Sequence, residues 1–190
     1  MRCLSCSTLS FKIFCKSCQV KLLTPNLYKR EVEDLLIYSL FKYSDISEIL
    51  TTKHTPIGYR VYKFLGKEIL KPFIEEFIKS YKREIYIIGV DEKVKNGYSH
   101  IALLTHQLEG IENIKVLHSK LLAKNSVIYS KKSREFRLKN PRKFIYSGKK
   151  KNIEAILIDD IITTGTTLKE ARDILEKSGV EVLFGVTLGG

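Results

Sequence analysis

The sequence lacks any apolar run of the ~20 residues that a membrane-spanning helix needs, so we expect no membrane insertion. The first residues, MRCLSC, lack the apolar core of a signal peptide, which predicts a cytoplasmic protein. Neither G-x4-G-K-[ST] nor G-x-G-x-x-G occurs, which argues against a P-loop NTPase and a dinucleotide-binding enzyme. No Ser/His/Asp catalytic set follows from the spacing, and the histidines are expected on the surface or in the core: His54, His100, His106 and His118.

Glycine and proline are also scarce, with 11 and 4 residues among 190, while 44% of the chain is hydrophobic. This composition indicates a folded protein, with room for one well-packed domain and a small appendage. We divide the chain into a cysteine-rich finger at 1–24, a helical linker at 25–60 and a core domain at 61–190. The formal net charge of +12 favours a polyanionic partner, although a generally basic proteome would also produce it.

All four cysteines lie in the first 18 residues, in the pattern C-x2-C-x8-C-x2-C: Cys3, Cys6, Cys15 and Cys18. Each C-x2-C pair suits tetrahedral Zn²⁺, because its turn presents two thiolates to one ion. Four thiolates would close the coordination shell, so the zinc would be structural. Disulfides or free thiols remain the alternatives, and disulfides would need an oxidising compartment.

Apolar periodicity predicts alternating strands and helices, and therefore an α/β fold with a mostly parallel sheet. Helices are predicted over 30–43, 61–81 with a bend at Pro72, 97–110 and 168–179. Strands are predicted over 85–90, 155–158 and 180–188, with a further one within 114–122.

The most informative stretch is ILIDDIITTGTT, residues 156–167, where two carboxylates and a hydroxyl-rich loop follow a buried strand. In open parallel sheets, ligands bind beyond the carboxyl ends of the strands. The loop leads directly into the helix predicted at 168–179, whose first N–H groups, with the threonine hydroxyls, would form a phosphate cradle. Gly165 would let the backbone approach the anion.

The carboxylates of Asp159 and Asp160 would repel a phosphate, but they suit sugar hydroxyls or hydrated Mg²⁺ beside it. Phosphoribosyl pyrophosphate (PRPP) offers a phosphate, a diol and a metal-bound pyrophosphate together. The predicted phosphoribosyl-binding residues are Asp159, Asp160, Thr163, Thr164, Gly165, Thr166 and Thr167. Taken singly, an acidic pair also occurs in response regulators, and threonine-rich turns are common helix caps.

LIDDIITTGTT matches the type I phosphoribosyltransferase signature at every position. With the N-terminal C-x2-C pairs, the chain resembles the ComF family of competence proteins over essentially its whole length. The segment SREFRLKNPRKF (133–144) is similar to a segment of that family, with Ser133, Arg134, Arg137, Asn140 and Phe144 in register. KVKNGYSH (93–100) looks like a degraded form of its R-x-R-G-F-N-Q stretch, and GVD (89–91) replaces its P-V-P.

The resemblance implies a Rossmann-like type I phosphoribosyltransferase fold and a role in natural transformation, the uptake and processing of single-stranded DNA. It also implies that Mg²⁺ accompanies PRPP. Pyrophosphate contacts would fall on Val90, Asp91, Lys93 and Lys95. Purine-salvage enzymes carry an acidic group where Thr163 stands here, so their purine-directed acid–base group is absent.

Residues 131–151 carry ten Lys/Arg and one acid, Glu135, for a segment charge of +9. Aromatic residues are interleaved with these charges, and such rings offer stacking faces to unpaired bases. A solvated surface loop is the alternative. The predicted nucleic-acid contacts are Lys131, Lys132, Arg134, Arg137, Arg142 and Lys143.

Three functions therefore remain open. The favoured one is a competence protein that binds single-stranded DNA and PRPP. The second is an active phosphoribosyltransferase with a nucleobase or nucleic-acid acceptor. The third is a scaffold that contacts a DNA helicase or a recombination mediator.

Overall fold

The computed structural model describes residues 1–91, 94, 97–125 and 141–190. Helices within these ranges are α1 (Lys16–Leu22), α2 (Tyr43–Thr51), α3 (Pro56–Leu65), α4 (Lys71–Ile78), α5 (His100–His106) and α6 (Thr166–Lys177). Strands are β1 (Tyr28–Val32), β2 (Leu35–Phe41), β3 (Ile85–Gly89), β4 (Ile114–Val116), β5 (Leu121–Ala123), β6 (Phe144–Tyr146), β7 (Ile153–Ile161) and β8 (Val180–Gly189). None of these helices is long and apolar enough to cross a bilayer.

Six strands form one sheet in the order β1-β2-β8-β7-β3-β4. Only the β1–β2 pair is antiparallel; every other neighbouring pair in this sheet is parallel. The predicted α/β class with a mostly parallel sheet and a small N-terminal cysteine-rich segment is therefore confirmed. Because β7 lies between β8 and β3, its carboxyl end opens near the middle of the sheet.

The sheet is covered on both faces, and β7 contributes alternate residues to each. Ile156 and Ile158 join the core beneath α2–α5, whereas Ala155 and Leu157 join the core beneath α6. This alternation follows from the two-residue repeat of a strand. It decides where the two aspartates that end the strand will point.

The prediction of a helix over 30–43 is wrong, since this segment is the β1–β2 hairpin. Its turn residues, Glu33 and Asp34, have φ of 45° and 65°. A two-residue hairpin with both central φ values positive normally carries Asn-Gly or Asp-Gly. Glu-Asp hides that signal, and the apolar residues of β2 then mimic helical spacing. β2 pairs with β8 inside the sheet, while the division into finger, linker and core stays a prediction.

The helix predicted over 61–81 begins earlier, at Pro56, and contains a π-helical turn at Gly66–Leu70. This turn directly precedes α4, whose second residue is Pro72. Proline cannot donate the regular helical hydrogen bond, so the backbone inserts a wider turn before it. The predicted irregularity thus lies one turn before the proline.

The strand predicted within 114–122 is instead two short strands, β4 and β5, separated by a loop. β5 pairs antiparallel with β6 in a small second sheet. An isolated bridge between Asp91 and Leu122 attaches this small sheet to the end of β3. The small sheet therefore stands beside the carboxyl ends of the central strands.

Candidate ligand site at the carboxyl end of the sheet

Asp159 and Asp160 end β7 on opposite sides of the sheet. Asp160 continues the row of Ile156 and Ile158 beneath α2–α5, and Asp159 continues the row of Ala155 and Leu157 beneath α6. The two carboxylates are adjacent in sequence, but they meet different neighbours.

Asp160 is 5% exposed, and its Oδ2 atom is held by three side chains. The Lys53 Nζ donates at 2.6 Å, the Tyr62 hydroxyl lies at 3.1 Å and the His100 Nε2 lies at 3.4 Å. The hydroxyl of the fully buried Tyr62 also lies 3.0 Å from the carbonyl oxygen of Leu50. The carboxylate is thus fixed from α3, α5 and the 3₁₀ turn at Thr52–His54.

These partners decide the charge of Asp160. Burial alone would raise the pKa of its carboxyl group, but the charges of Lys53 and His100 and the hydrogen bonds from Lys53 and Tyr62 outweigh burial and lower the pKa. Burial and the neighbouring Asp160 raise the pKa of Tyr62 well above its ordinary value. Asp160 is therefore an ionised carboxylate beside a neutral phenol.

The pKa of Asp159 is shifted in the opposite direction. Burial and the adjacent charge of Asp160 raise the pKa of its carboxyl group well above the ordinary value, against smaller opposing effects of the Asp160 N–H, Lys53 and Arg142. Its Oδ1 accepts a hydrogen bond of 2.8 Å from the Asp160 N–H. A carboxyl group in this state would ionise more readily if a cation arrived beside it.

Gly165 forms the junction between the loop after β7 and α6. It is the N-cap of α6 and has φ of +78°. A Cβ atom added there would lie 2.6 Å from the Cγ2 of Val32 in β1. The same strand supplies Arg30, whose Nη1 donates to the Thr163 carbonyl oxygen at 2.7 Å. The antiparallel hairpin therefore supports the loop from outside.

The threonines of this loop lie at the start of α6, as the sequence predicted. The Thr164 and Thr166 hydroxyl oxygens are 3.0 Å apart, while Thr163 is exposed and Thr167 is half-buried in the first turn. Twelve residues of helix follow, so the positive end of the helix dipole lies at this loop. Hydroxyls and backbone N–H groups are thus gathered where an anion would bind.

Val90 and Asp91 follow β3, beside the end of β7. Val90 is buried, and its N–H donates to the Ile158 carbonyl oxygen at 2.9 Å. The buried Asp91 accepts 2.7 Å from the hydroxyl of Ser99, which also caps α5. Burial raises the pKa of Asp91, against the opposing effects of Ser99, His118 and the Ser119 N–H. Lys93 and Lys95 lie outside the described residues.

Of the predicted nucleic-acid contacts, Arg142 and Lys143 are described, and Lys131, Lys132, Arg134 and Arg137 lie outside the described residues. Arg142 is only 8% exposed, whereas Lys143 is exposed. Their backbone N–H groups donate to the two carboxylate oxygens of Glu170 in α6, at 2.9 and 2.6 Å. Arg142 is thus a charge that acts on Asp159, and Lys143 lies on the accessible surface.

The four cysteines come together at the N-terminus as free thiols: Cys3, Cys6, Cys15 and Cys18. Their sulfur atoms all lie within 4.8 Å of one another, and those of Cys6 and Cys15 are 3.6 Å apart. Tetrahedral Zn²⁺ with bonds of about 2.3 Å needs sulfurs roughly 3.8 Å apart, so the cluster fits zinc. Hydrogen bonds from the Cys6 and Cys15 backbones lower the pKa of Cys3 to about 6, which favours its thiolate.

The finger is fastened to α3 and the π-helical turn. Phe14 is 1% exposed and packs on Phe64, with ring centroids 5.3 Å apart. Lys12 forms a 2.9 Å ion pair with Glu68. Because Phe14 belongs to the same core cluster as Tyr62, the finger and the Asp160 site are connected through one helix.

Sequence reasoning missed the residues that support the aspartates from elsewhere in the chain. Lys53 lies in an ordinary polar stretch and carried no signal. Gly58 was informative in retrospect, because a Cβ there would lie 2.1 Å from the Thr52 carbonyl oxygen and 2.3 Å from the Tyr98 hydroxyl. That close approach lets Tyr98 bond the Lys53 carbonyl oxygen at 3.0 Å. Ser99 was readable as a helix cap.

Comparison with known proteins gives a relative that matches along nearly the whole chain. The chain is 24% identical over 183 residues to "Competence protein ComFC" of Streptococcus pneumoniae, covering 94% of this chain and 76% of that protein. The predicted resemblance to the ComF family is confirmed. No protein-family model matches the chain.

Three solved phosphoribosyltransferases are similar to this chain in structure, at lower sequence identity. Adenine phosphoribosyltransferase of Saccharomyces cerevisiae is 16% identical with a TM-score of 0.43, covering 92% of this chain and 90% of that one. Orotate phosphoribosyltransferase of Aeropyrum pernix is 14% identical with a TM-score of 0.39, covering 90% and 78%. Hypoxanthine phosphoribosyltransferase of Staphylococcus aureus is 20% identical with a TM-score of 0.40, covering 67% and 61%.

Proposed function

We propose that this chain is a competence-associated protein of the phosphoribosyltransferase type that binds PRPP with Mg²⁺ at the carboxyl end of β7. The observation that carries this proposal is the junction of Asp159 with the loop 163–167, whose Gly165 starts α6 in a left-handed conformation. The similarity to a competence protein supports the biological setting.

In this proposal the 5-phosphate lies against the threonine hydroxyls and the first N–H groups of α6. Asp159 accepts from the ribose hydroxyls or faces hydrated Mg²⁺, since both are ligands for a carboxylate oxygen. Asp160 keeps its ion pair with Lys53 and fixes the backbone at the end of β7. The loop after β3, with Val90, Asp91, Lys93 and Lys95, faces the pyrophosphate.

Isothermal titration with PRPP and Mg²⁺ tests this assignment, because Asp159→Asn keeps the shape of the site and removes its carboxylate. We expect binding by the wild type and at least about a tenfold weaker affinity for the variant. Ribose 5-phosphate, which lacks pyrophosphate, should bind more weakly than PRPP. Equal affinity of the wild type and Asp159→Asn would refute the assignment.

Proton release provides a second signature of the same site. The raised pKa of Asp159 means that this carboxyl group binds a proton more readily than an ordinary one. Binding of a metal–pyrophosphate complex beside it should expel that proton. Titrations in buffers of different ionisation enthalpy should show the release in the wild type and lose it in Asp159→Asn.

Release of pyrophosphate separates binding from transfer. We favour binding, and therefore expect PRPP to remain intact when single-stranded DNA or nucleobases are added. Steady pyrophosphate release that needs an acceptor would instead establish the alternative, an active phosphoribosyltransferase.

We further propose that the +9 segment 131–151 binds single-stranded DNA. Fluorescence anisotropy with a labelled oligonucleotide tests it with Lys131→Glu/Lys132→Glu, and Lys63→Glu/Lys67→Glu is a matched control with two exposed lysines on helix surface. The first variant should weaken binding and flatten the salt dependence by about 0.7 in log–log slope per lost phosphate contact. Equal effects of both variants would mean that the segment acts only through the overall positive charge of the protein.

We propose that the four-cysteine cluster holds one structural Zn²⁺. Metal analysis of the purified protein should then find zinc bound by thiolates, and a strong chelator should unfold the finger. Hydrogen exchange should rise first in residues 1–24. Native metal-free protein with all four thiols fully reactive and an unchanged exchange pattern would contradict the zinc site.

A further inference from the structure

A second cluster of metal-ligating side chains lies away from the cysteines. His106 ends α5, Glu109 follows in the next turn, and His118 lies in the loop after β4. One ligand atom from each of the three lies within 4.8 Å of the others. Parallel pairing of β3 with β4 brings this loop beside α5, so the cluster is assembled by the fold rather than by sequence spacing.

The three side chains already converge on one point. Oε1 of Glu109 lies 3.3 Å from Nδ1 of His106 and 2.5 Å from Nε2 of His118. Tetrahedral Zn²⁺ with bonds of about 2.0–2.1 Å separates its ligand atoms by roughly 3.4 Å. The first contact has this spacing, and the second needs an opening of about 1 Å by exposed side chains.

We propose that His106, Glu109 and His118 form a binding site for a divalent transition metal of the Zn²⁺ class. Two imidazoles and one carboxylate are a ligand set that Zn²⁺, Co²⁺ and Ni²⁺ accept, whereas Mg²⁺ prefers oxygen ligands alone. Three protein ligands leave at least one coordination position for water or a small anion. In the bound state each imidazole would present an unprotonated nitrogen to the metal and carry its proton on the other ring nitrogen.

The location gives the metal a structural consequence. A groove beside the histidines is lined by Tyr98, Ser99, Ala102 and Leu103. Ser99 donates to Asp91, and the Ser119 N–H, adjacent to His118, also faces Asp91. A metal on His106 and His118 would therefore tie together the two segments that flank Asp91.

Titration of the full chain with Co²⁺ tests the site, because thiolate ligands give strong near-ultraviolet absorption and imidazole and carboxylate ligands do not. We expect a Co²⁺ equivalent without thiolate absorption in the wild type. Its affinity should fall at least about tenfold in His118→Gln and in Glu109→Gln, and His54→Gln, another exposed histidine, should bind like the wild type. Excess Mg²⁺ should not displace the ion.

Imidazole NMR signals provide the direct readout, since bound Co²⁺ should shift or broaden those of His106 and His118 and leave His54 unchanged. The variants should retain the wild-type melting temperature, because the side chains of His106, Glu109 and His118 are 64%, 47% and 39% exposed. The proposal is wrong if no Co²⁺ binds without thiolate absorption, or if His118→Gln binds Co²⁺ as tightly as the wild type. The three side chains would then form only a surface ion pair. Neither result depends on PRPP or on the cysteine cluster.

Discussion

Asp159 and Asp160 are adjacent in the chain, but they serve opposite sides of the sheet. Asp160 is held by Lys53, Tyr62 and His100, and these contacts lower its pKa. Asp159 meets burial and a like charge, and its pKa is raised. In our proposal the two carboxylates therefore have separate roles: Asp160 stabilises the fold, and Asp159 faces the ligand.

The largest expected effect comes from breaking the anchored side. Asp160→Asn keeps the shape but removes the charge that pairs with Lys53. Losing one partner of a fully buried ion pair costs about 3–5 kcal/mol, and this pair is partly buried, so we expect a loss of about 2–3 kcal/mol. Urea unfolding should show this loss. Asp34→Asn in the exposed hairpin turn removes the same charge and should change stability by less than about 0.5 kcal/mol. Similar losses in both variants would mean that Asp160 is not anchored.

Gly165→Ala should have the next largest effect. Alanine would have to keep the backbone φ of +78°, and its Cβ would lie 2.6 Å from the Cγ2 of Val32. We therefore expect the free energy of unfolding to fall by about 2 kcal/mol. Adding Val32→Ala should relieve the contact but not the backbone strain, and so recover only part of the loss. Full recovery in the double variant would show that the left-handed conformation itself costs alanine little here.

Asp159→Asn should act in the opposite direction to Asp160→Asn. Removing a half-buried carboxyl group beside a like charge should raise the free energy of unfolding by on the order of 1 kcal/mol at neutral pH, while PRPP affinity falls at least about tenfold. Chemical unfolding paired with titration calorimetry measures both effects. A destabilised Asp159→Asn that still binds PRPP would reverse the assignment of roles.

The two aspartates should also give stability profiles of opposite slope against pH. The pKa of Asp159 is raised by folding, so its contribution is fully present below about pH 4 and is lost as pH rises through the folded value. The pKa of Asp160 is lowered, so its contribution is present above about pH 4 and is lost as pH falls. The difference between the wild type and each variant, followed by urea unfolding on both sides of about pH 4, should show the Asp159 slope above that pH and the Asp160 slope below it.

The smallest effect is expected for Arg30→Ala. Its side chain is exposed and donates to the Thr163 carbonyl oxygen, a bond worth about 1 kcal/mol. We expect a slight loss of stability and a few-fold weaker PRPP binding, because the loop is less fixed. Lys29→Ala, on the same strand, is the control and should leave binding unchanged.

The motif around β7 was predictable from sequence because its information is local. A buried strand, two carboxylates, a glycine and a helix start follow one another within 156–167, and the structure arranges them in that order. The cysteine cluster was predictable for the same reason. In both patterns, the spacing of neighbouring residues determines the geometry.

The residues that support the motif could not be predicted, because they lie in distant parts of the chain. Lys53 reaches Asp160 across 107 residues, and Arg30 reaches Thr163 across 133. The opposite orientation of the two aspartates needed the register of β7. The hairpin was misassigned because Glu33 and Asp34 adopt positive φ without glycine.

The position of β8 between β2 and β7 has a consequence for biosynthesis. Ser39 of β2 bonds Thr187 of β8 across 148 residues, and ribosomes add about 5–20 residues per second. The β1–β2 hairpin therefore waits on the order of ten seconds for its sheet partner. During that time the apolar face of β2 and its unpaired edge are exposed to other chains. Nascent chains stalled before residue 180 should bind chaperones that recognise extended apolar segments, and completed chains should not.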